Sequence, residues 1–195
     1  MAELKALRKS LEEEWGECRR CELADSRRNV VIGEFGSPHF LLIGEAPGEA
    51  EDRIGFPYVG KAGVMLRTDA QDLGLDLSKQ SSIVNVLGCR LPEGRRPKAG
   101  EVEACRPRLE RIVHELSPPI VLLLGRVAYE WAFRRIVAID RVRGRLDMFT
   151  NRWNGVETVV QCLVTYHPSH LASFRRDDLK YDLEVAWRVV EGQIK

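Results

Sequence analysis

The stretch FLLIGEAPGEAEDRIGFPYVGKAG, residues 40–63, carries the strongest fold signal in the chain. Its first five residues form an apolar run that predicts a buried strand, and this run ends at Gly44. Behind the glycine follow further glycines, prolines, an aromatic pair and the carboxylates Glu45, Glu49, Glu51 and Asp52. In α/β proteins ligands bind beyond the carboxyl ends of the strands, so this loop is the first candidate site.

The rest of the chain continues the pattern of apolar strands alternating with helices. SIVNVLG (82–88) and PIVLLLG (119–125) are apolar strand candidates, and GRLDMF (144–149) and ETVVQCLVTY (157–166) flank an Asn-Gly turn. Helical spacing of Leu4, Leu7, Leu11 and Trp15 predicts an amphipathic opening helix. This alternation predicts an α/β fold over residues 1–195. We expect a single three-layer αβα domain whose central sheet is mostly parallel and roughly four-stranded.

Composition limits the possible functions only weakly. The chain has 195 residues, a net charge of +1, 44% hydrophobic and 30% charged residues, so a nucleic-acid surface must be a local patch. No apolar run reaches the length of a membrane span, and the first fifteen residues do not resemble an export signal. We therefore expect a cytoplasmic protein whose five cysteines stay reduced.

The opening loop allows three interpretations. Its acids offer a general base or a group that orients water, and its glycines allow a ligand to approach the backbone. It could equally be a solvated acidic turn. The segment GFPYVGKA (55–62) also fits the core of a phosphate-binding P-loop. However, Ala62 replaces the Ser or Thr that would hold Mg²⁺, and Pro57 would stiffen the loop, so an NTPase is disfavoured.

The cysteines suggest a metal site. Cys18 and Cys21 form a C-x-x-C pair, and Cys89 and Cys105 are separated by fifteen residues. Four thiolates can hold Zn²⁺ or an iron–sulfur cluster, although a zinc ribbon favours a second C-x-x-C. Unliganded core cysteines are the alternative. That alternative suits Cys162, but the polar ECRRCE context makes it a poor explanation for the first pair.

The segment TYHPSHLAS (165–173) is the third candidate. His167 follows the last predicted strand and should lie level with the opening loop. A single histidine is more often a hydrogen-bonded structural residue than a catalytic one, so its spacing alone does not assign it a role.

Taken together, these motifs resemble the family-4 uracil-DNA glycosylases, the iron–sulfur branch of that superfamily. The resemblance rests on GEAPG (44–48), the acidic pair Glu51-Asp52 and GFPYVGKAG (55–63). It also rests on NVLGCR (85–90), on H-P-S (167–169) and on the four cysteines. These elements occur in order over about residues 18–190.

The resemblance implies a pocket for a uracil flipped out of DNA, which the enzyme would cleave from its sugar to leave an abasic site. His167 would donate to the departing base, and Glu45 would position water or stabilise the sugar. Tyr58 would stack on the base and Asn85 would read its edge. The resemblance places four further residues at the substrate: Ala46, Pro47, Gly48 and Glu51. Ser169 and Leu171 would contact DNA, with Leu171 wedged into the base stack.

The resemblance further implies one structural [4Fe-4S] cluster, held by Cys18, Cys21, Cys89 and Cys105. The cluster subregion would span about residues 15–25 and 88–106, and Cys162 would be free and buried. DNA containing uracil is the expected partner of a monomer, and no membrane is expected. The DNA affinity would come from a local basic face that includes Arg90, Arg95, Arg96 and Lys98.

Several residues depart from the family pattern. Tyr58 stands where the family usually has Phe, and the following helix, LRTDAQDLG (66–74), is more polar than its counterparts. Ala46 occupies the position of the water-activating aspartate of the best-known branch. The basic loop RLPEGRRPKAGE (90–101) contains no histidine. This favours ordinary turnover over covalent trapping of the damaged DNA, which some relatives carry out through a histidine in this loop. A non-cleaving DNA-binding module and a glycosylase for another modified base on this fold remain alternatives.

Overall fold

A computed structural model of the protein describes residues 2–170 and 173–194. It contains a six-stranded sheet in the order β1-β3-β2-β4-β6-β5. The strands are β1 (Glu34–Phe35), β2 (Phe40–Gly44), β3 (Ser82–Asn85), β4 (Ile120–Leu124), β5 (Leu146–Trp153) and β6 (Val156–Thr165). The central strands β3, β2, β4 and β6 are mutually parallel, whereas β1 and β5 pair antiparallel at the two edges.

Seven α-helices connect and cover these strands. They are α1 (Ala2–Trp15), α2 (Glu49–Ile54), α3 (Lys61–Asp72), α4 (Leu77–Gln80), α5 (Ala99–Leu116), α6 (Arg126–Phe133) and α7 (Ser173–Val190). Within the described residues, no helix combines the length and apolar character needed to cross a membrane.

The side chains of the sheet divide between two cores, one on each face. On one face α1, α5 and α6 pack against alternate strand residues such as Leu41, Ile43 and Val121. On the other face α3, α4 and α7 pack against residues such as Phe40 and Leu42. The central strands are therefore buried on both sides, which explains why they read as continuous apolar runs.

The predicted three-layer αβα fold is confirmed, with four parallel strands at its centre and two antiparallel edge strands. The acidic loop is only partly a loop, because α2 forms within it. Helix α6 ends at Phe133, because Arg134 adopts a left-handed conformation at φ 52°. Helix α5 continues through Pro107.

The strand order positions the candidate site. Strand β3 follows β2 in sequence and lies beside it in the sheet. The next strand, β4, lies on the other side of β2. At such a switch point the loops beyond the carboxyl ends of the strands diverge and leave a crevice. The three sequence motifs lie at this edge.

Candidate functional site

A cavity of about 570 Å³ opens at the carboxyl ends of the parallel strands. This volume is typical of small-molecule sites, which span about 300–1,000 Å³. Its lining combines three separate segments of sequence. Eleven of the residues predicted for the base site or the basic face line it: Glu45, Ala46, Pro47, Gly48, Glu51, Tyr58, Asn85, Arg90, Arg95, His167 and Ser169.

Glu51 organises the loop that follows β2. Its carboxylate accepts hydrogen bonds from the amide of Gly48 at 3.1 Å, from that of Val59 at 2.9 Å and from that of Gly60 at 2.7 Å. These bonds join the start of α2 to the segment before α3. Glu51 is buried, so each bond is protected from water. A direct contact between Glu51 and the substrate stays a prediction, since both carboxylate oxygens are already engaged.

The same bonds argue against the NTPase interpretation. A P-loop binds phosphate through successive free amides. In this protein the amides of Val59 and Gly60 donate to Glu51, so they are not available to a phosphate. Asp52 is also structural, because it accepts from the amides of Arg28 and Asn29 at 2.9 and 3.2 Å.

The hydrogen bonds of His167 define its tautomer. The Ser169 amide donates to Nδ1 at 3.2 Å, and the Ser169 hydroxyl lies 2.7 Å from the same nitrogen. An amide can only donate, so Nδ1 is the acceptor and we assign the ring proton to Nε2. The Nε2–H points to the cavity and is 3.3 Å from the hydroxyl of Tyr58. His167 is therefore arranged as a neutral donor.

Tyr58 lies buried at the base of the cavity with a positive φ of 53°. Burial raises the pKa of its phenol, and the nearby charges of Glu51 and Glu45 raise it further. The hydroxyl therefore stays protonated. Gly63 makes this backbone turn possible, since a Cβ at that position would lie 1.9 Å from the Tyr58 carbonyl oxygen.

Asn85 ends β3 and is 2% exposed. Its Oδ1 is buried and has no hydrogen-bond partner within the described residues. A Cβ on Gly44 would lie 2.4 Å from this oxygen and 2.1 Å from the Tyr58 hydroxyl. Glycine at position 44 therefore lets both polar groups converge at the cavity floor.

The main chain after β2 stays attached to the neighbouring strand. The carbonyl of Gly44 accepts from the Val86 amide at 2.9 Å, and the carbonyl of Glu45 accepts from the Leu87 amide at 3.0 Å. The Glu45 side chain lines the cavity and also lines an adjoining groove.

The adjoining groove has a volume of about 1020 Å³ and meets the cavity at Glu45, Gly94 and His167. It lies between α5, α6 and the end of β6. Five arginines contribute to its wall: Arg96, Arg106, Arg126, Arg134 and Arg135. An extended ligand could therefore continue from the cavity along this groove.

The predicted basic face is only partly available to a ligand. Arg95 donates to both carboxylate oxygens of Glu101 and pairs with Glu22 at 3.4 Å, and Lys98 pairs with Glu22. Arg90 lies 3.8 Å from Glu49. Leu171 lies outside the described residues, so its predicted role stays a prediction.

The four predicted cysteine ligands converge on one region beside the cavity. Cys89 and Cys105 are buried in a small apolar cluster against which Cys21 packs. Burial raises the pKa of Cys89 to about 12, and the charges of Cys105 and Cys21 contribute to the rise. Cys162 is buried in the main core, as predicted.

Four thiolates can hold either Zn²⁺ or an iron–sulfur cluster, so the donor set fits both groups. As placed, the side chains of residues 2–170 and 173–194 form no group of three or more His, Cys, Asp or Glu that could hold a metal ion.

Two arginines lie near the thiols, the buried Arg108 and the partly buried Arg27. The charges of Arg27 and Arg108 both act on the Cys89 thiol. One nitrogen of each, Nη1 of Arg27 and Nε of Arg108, is buried without a hydrogen-bond partner in the described part of the chain. These donors are suited to an anionic group placed among the cysteines.

Comparison with known proteins identifies the family. The model of the uracil DNA glycosylase superfamily matches residues 32–191. The chain belongs to the uracil DNA glycosylase superfamily. It is 34% identical over 188 residues to the type-4 uracil-DNA glycosylase of Sulfurisphaera tokodaii, covering 90% of this chain and 83% of that protein.

Two further relatives carry the same name. The type-4 uracil-DNA glycosylase of Saccharolobus solfataricus is 35% identical over 180 residues, covering 89% of this chain and 80% of that protein. The one from Thermotoga maritima is 34% identical over 166 residues, covering 84% and 82%. The predicted resemblance to this superfamily is thus confirmed.

In this member of the uracil DNA glycosylase superfamily, sequence reasoning missed Arg108 and the bond between Tyr58 and His167. Arg108 could have been noticed, because it falls among the buried positions Cys105, Leu109 and Ile112 of an amphipathic helix. The bond to His167 had no local signal, since it joins residues 109 positions apart.

Proposed function

We propose that this protein is a type-4 uracil-DNA glycosylase, which hydrolyses the N-glycosidic bond of uracil in DNA and leaves an abasic site. The observation that carries the proposal is the convergence of Asn85, Tyr58 and the Nε2–H of His167 on one cavity at the carboxyl ends of the strands. The three relatives, each named as a uracil-DNA glycosylase, support the same reaction.

The reaction requires a flipped nucleotide. The glycosidic bond is inaccessible inside a duplex, so the base must leave the stack and enter the cavity. Cleavage leaves negative charge on the departing uracil. The Nε2–H of His167 would donate to a carbonyl oxygen of the base, where that charge develops. Because Ser169 holds Nδ1 as an acceptor, the Nε2 donor is in place before the base arrives.

The other cavity residues would recognise and orient the base. The Asn85 amide offers an acceptor and two donors, which suits the edge of uracil with its carbonyl and N–H groups. The ring of Tyr58 would stack on the base. Glu45 is the carboxylate that we assign to positioning water or stabilising the sugar cation, because it lines the cavity.

We propose that Cys18, Cys21, Cys89 and Cys105 hold a [4Fe-4S] cluster. The proposal is supported by the grouping of the thiols and by the buried Nη1 of Arg27 and Nε of Arg108 near them. When bound, the cluster would link the chain near residue 20 to the loop after β3 and so serve as a structural crosslink. The cavity residues carry out all steps of the reaction.

We propose that DNA follows the arginine-lined groove beside the cavity. Of the four residues predicted for the basic face, Arg96 lines this groove, whereas Arg90, Arg95 and Lys98 have carboxylate partners. Ser169 lies at the cavity, where it would also approach the DNA strand. We further propose a monomer that works in the cytoplasm, where free cysteines and the cluster are protected from oxidation.

The decisive experiment is incubation with end-labelled DNA that contains one uracil, followed by alkaline cleavage. We expect cleavage at the uracil only after alkali, because a monofunctional glycosylase leaves the backbone intact. Otherwise identical DNA with thymine or hypoxanthine in place of uracil serves as the control. Binding without cleavage would indicate a non-cleaving module, and cleavage of only the hypoxanthine DNA would indicate another base specificity.

A further inference from the structure

Arg108 is a buried cation that has no carboxylate partner among residues 2–170 and 173–194. It is 1% exposed, and its guanidinium donates to three main-chain carbonyls: Ile32 at 3.0 Å, Asn85 at 2.6 Å and Val86 at 3.3 Å. Carbonyl dipoles satisfy its N–H groups but do not neutralise it. A buried charge requires a compensating charge nearby, so the anion that balances Arg108 must be found elsewhere.

The neighbouring Arg106 shows the contrast on the same helix. Arg106 is also buried, but its Nε donates to both oxygens of Glu103 at 2.9 and 3.1 Å, and Glu110 lies 3.7 Å from Nη1. Its charge is therefore balanced by carboxylates. The two arginines lie two residues apart in α5 and face different environments.

The groups beside Arg108 that can become anionic are the cysteines. Burial lowers the pKa of Arg108, and the charges of Cys105, Cys89 and Cys18 oppose that shift. Its Nε is buried and makes none of these carbonyl hydrogen bonds, and the guanidinium interacts with the Cys105 thiol.

The same guanidinium therefore touches two functional regions. One side holds the carbonyl of Asn85, the residue that ends β3 at the base cavity, and the other faces the thiols. We propose that Arg108 is a positioning residue that couples the two: it balances the negative charge of the thiolate-bound cluster and fixes the backbone that presents Asn85 to the base. This proposal rests on the proposed function.

Two substitutions separate the effect of the Arg108 charge from the effect of its hydrogen bonds. Arg108→Met removes the charge and all the hydrogen bonds. Arg108→Lys keeps the charge, but one ammonium cannot reproduce the planar fork that reaches carbonyls of two chain segments. Arg111→Met is the matched control, a partly buried arginine of the same helix that pairs with Glu14 and Glu115 and lines neither the cavity nor the groove.

The test measures iron release to a chelator, followed by visible absorption, and binding of DNA that contains an uncleavable uracil analogue. For Arg108→Met we expect iron release about tenfold faster, as for loss of an outer contact to a metal site. We expect analogue binding about tenfold weaker in both Arg108 variants, although Arg108 does not touch the base. Arg108→Lys should release iron within threefold of the unsubstituted protein, a tolerance of about 0.7 kcal/mol.

The outcomes are distinct. If Arg108→Met does not fold, Arg108→Lys still tests the coupling through analogue binding. Iron release and analogue binding within twofold of the Arg111→Met control, in both variants, would overturn the proposal. Equally fast iron release from Arg108→Lys and Arg108→Met would show that the charge of Arg108 does not stabilise the cluster. If the unsubstituted protein neither excises uracil nor binds the analogue, the proposed function fails, and the iron measurement still tests the role of charge.

Discussion

The base cavity and the cysteine region lie side by side, but they are built on different principles. In the cavity, the buried carboxylate of Glu51 is satisfied by backbone amides, and the polar groups of Asn85 and His167 that line it are neutral. In the cysteine region, the buried cation Arg108 has no carboxylate partner among the described residues and lies beside thiols. The cavity leaves the Asn85 oxygen for a neutral ligand, whereas the charge of Arg108 requires a negative charge nearby.

This difference has a physical basis. A glycosylase must stabilise a charge that exists only while the bond breaks, so neutral donors fixed in advance are the most effective groups. A structural cluster carries its charge permanently, and a permanent cation can balance it. Changes in the cavity should therefore affect rate, and changes in the cysteine region should affect stability and iron content.

The largest effect is expected for His167→Ala. It removes the donor to the developing charge, and the single-turnover excision rate should fall by roughly a hundredfold or more. Binding to an uncleavable uracil analogue and the iron content should change little, because ground-state contacts remain. His39→Ala, an exposed histidine before β2, is the control. Equal losses in rate and analogue binding would make His167 part of the binding scaffold instead.

Cys89→Ala and Cys162→Ala provide a matched pair. Both thiols are buried, and burial raises the pKa of each to about 12. Loss of the Cys89 ligand should remove the bound iron and leave Arg108 without its counter-charge. The expected cost is about 3–5 kcal/mol of unfolding free energy. Cys162→Ala leaves only a small cavity and should cost about 1 kcal/mol.

Iron analysis and urea denaturation would measure both effects. Brown protein with broad visible absorption is expected for the Cys162→Ala variant but not for the Cys89→Ala variant. Colourless protein that contains one zinc in both variants, after anaerobic purification, would contradict the cluster.

A smaller effect is expected from the basic residues. Substituting Arg95, Arg96 and Lys98 together by Ala should flatten the salt dependence of DNA binding, because fewer counterions are released. Since Arg95 and Lys98 are paired with carboxylates, we expect Arg96→Ala alone to give most of the change. One lost phosphate contact corresponds to a slope change of about 0.9.

Binding measured from 50 to 300 mM salt would test this expectation. Lys79→Ala is the control, because Lys79 lies in α4 before the amino end of β3, at the opposite edge of the sheet. An unchanged salt dependence of DNA binding in the triple variant would show that the DNA-binding face lies elsewhere.

The smallest effect is expected for Tyr58→Phe. In the free protein the Tyr58 hydroxyl accepts a hydrogen bond from the Nε2–H of His167. Removal of the hydroxyl should therefore raise the excision rate a few-fold at most, which is the effect of one net hydrogen bond. Burial raises the pKa of Tyr58, so the phenol stays neutral and the pH–rate profile between pH 6 and 10 should be the same in both proteins. Tyr181→Phe, on the exposed side of α7, is the control.

Single-turnover rates across this pH range would measure the effect. An alkaline limb that is present in the unsubstituted protein and lost in Tyr58→Phe would show that the phenol ionises, contrary to this expectation.

The sequence by itself determined the fold class, the family and the position of the site. Apolar runs buried on both faces predict parallel strands, and GEAPG, Asn85 and H-P-S follow or end such runs, so their convergence follows from strand geometry. Cysteine spacing and the polar setting of Cys18 and Cys21 predicted the metal region.

Only the tertiary structure decided what each polar group does. The acids of the opening loop look alike in sequence, yet Glu51 binds three amides, Asp52 binds two, and Glu45 lines the cavity. Likewise, only the structure shows that Arg95 pairs with Glu101 and that Arg108 is buried where helix α5 packs on the sheet. Hydrogen bonds and charge compensation depend on contacts between distant segments, and local sequence does not encode those distances.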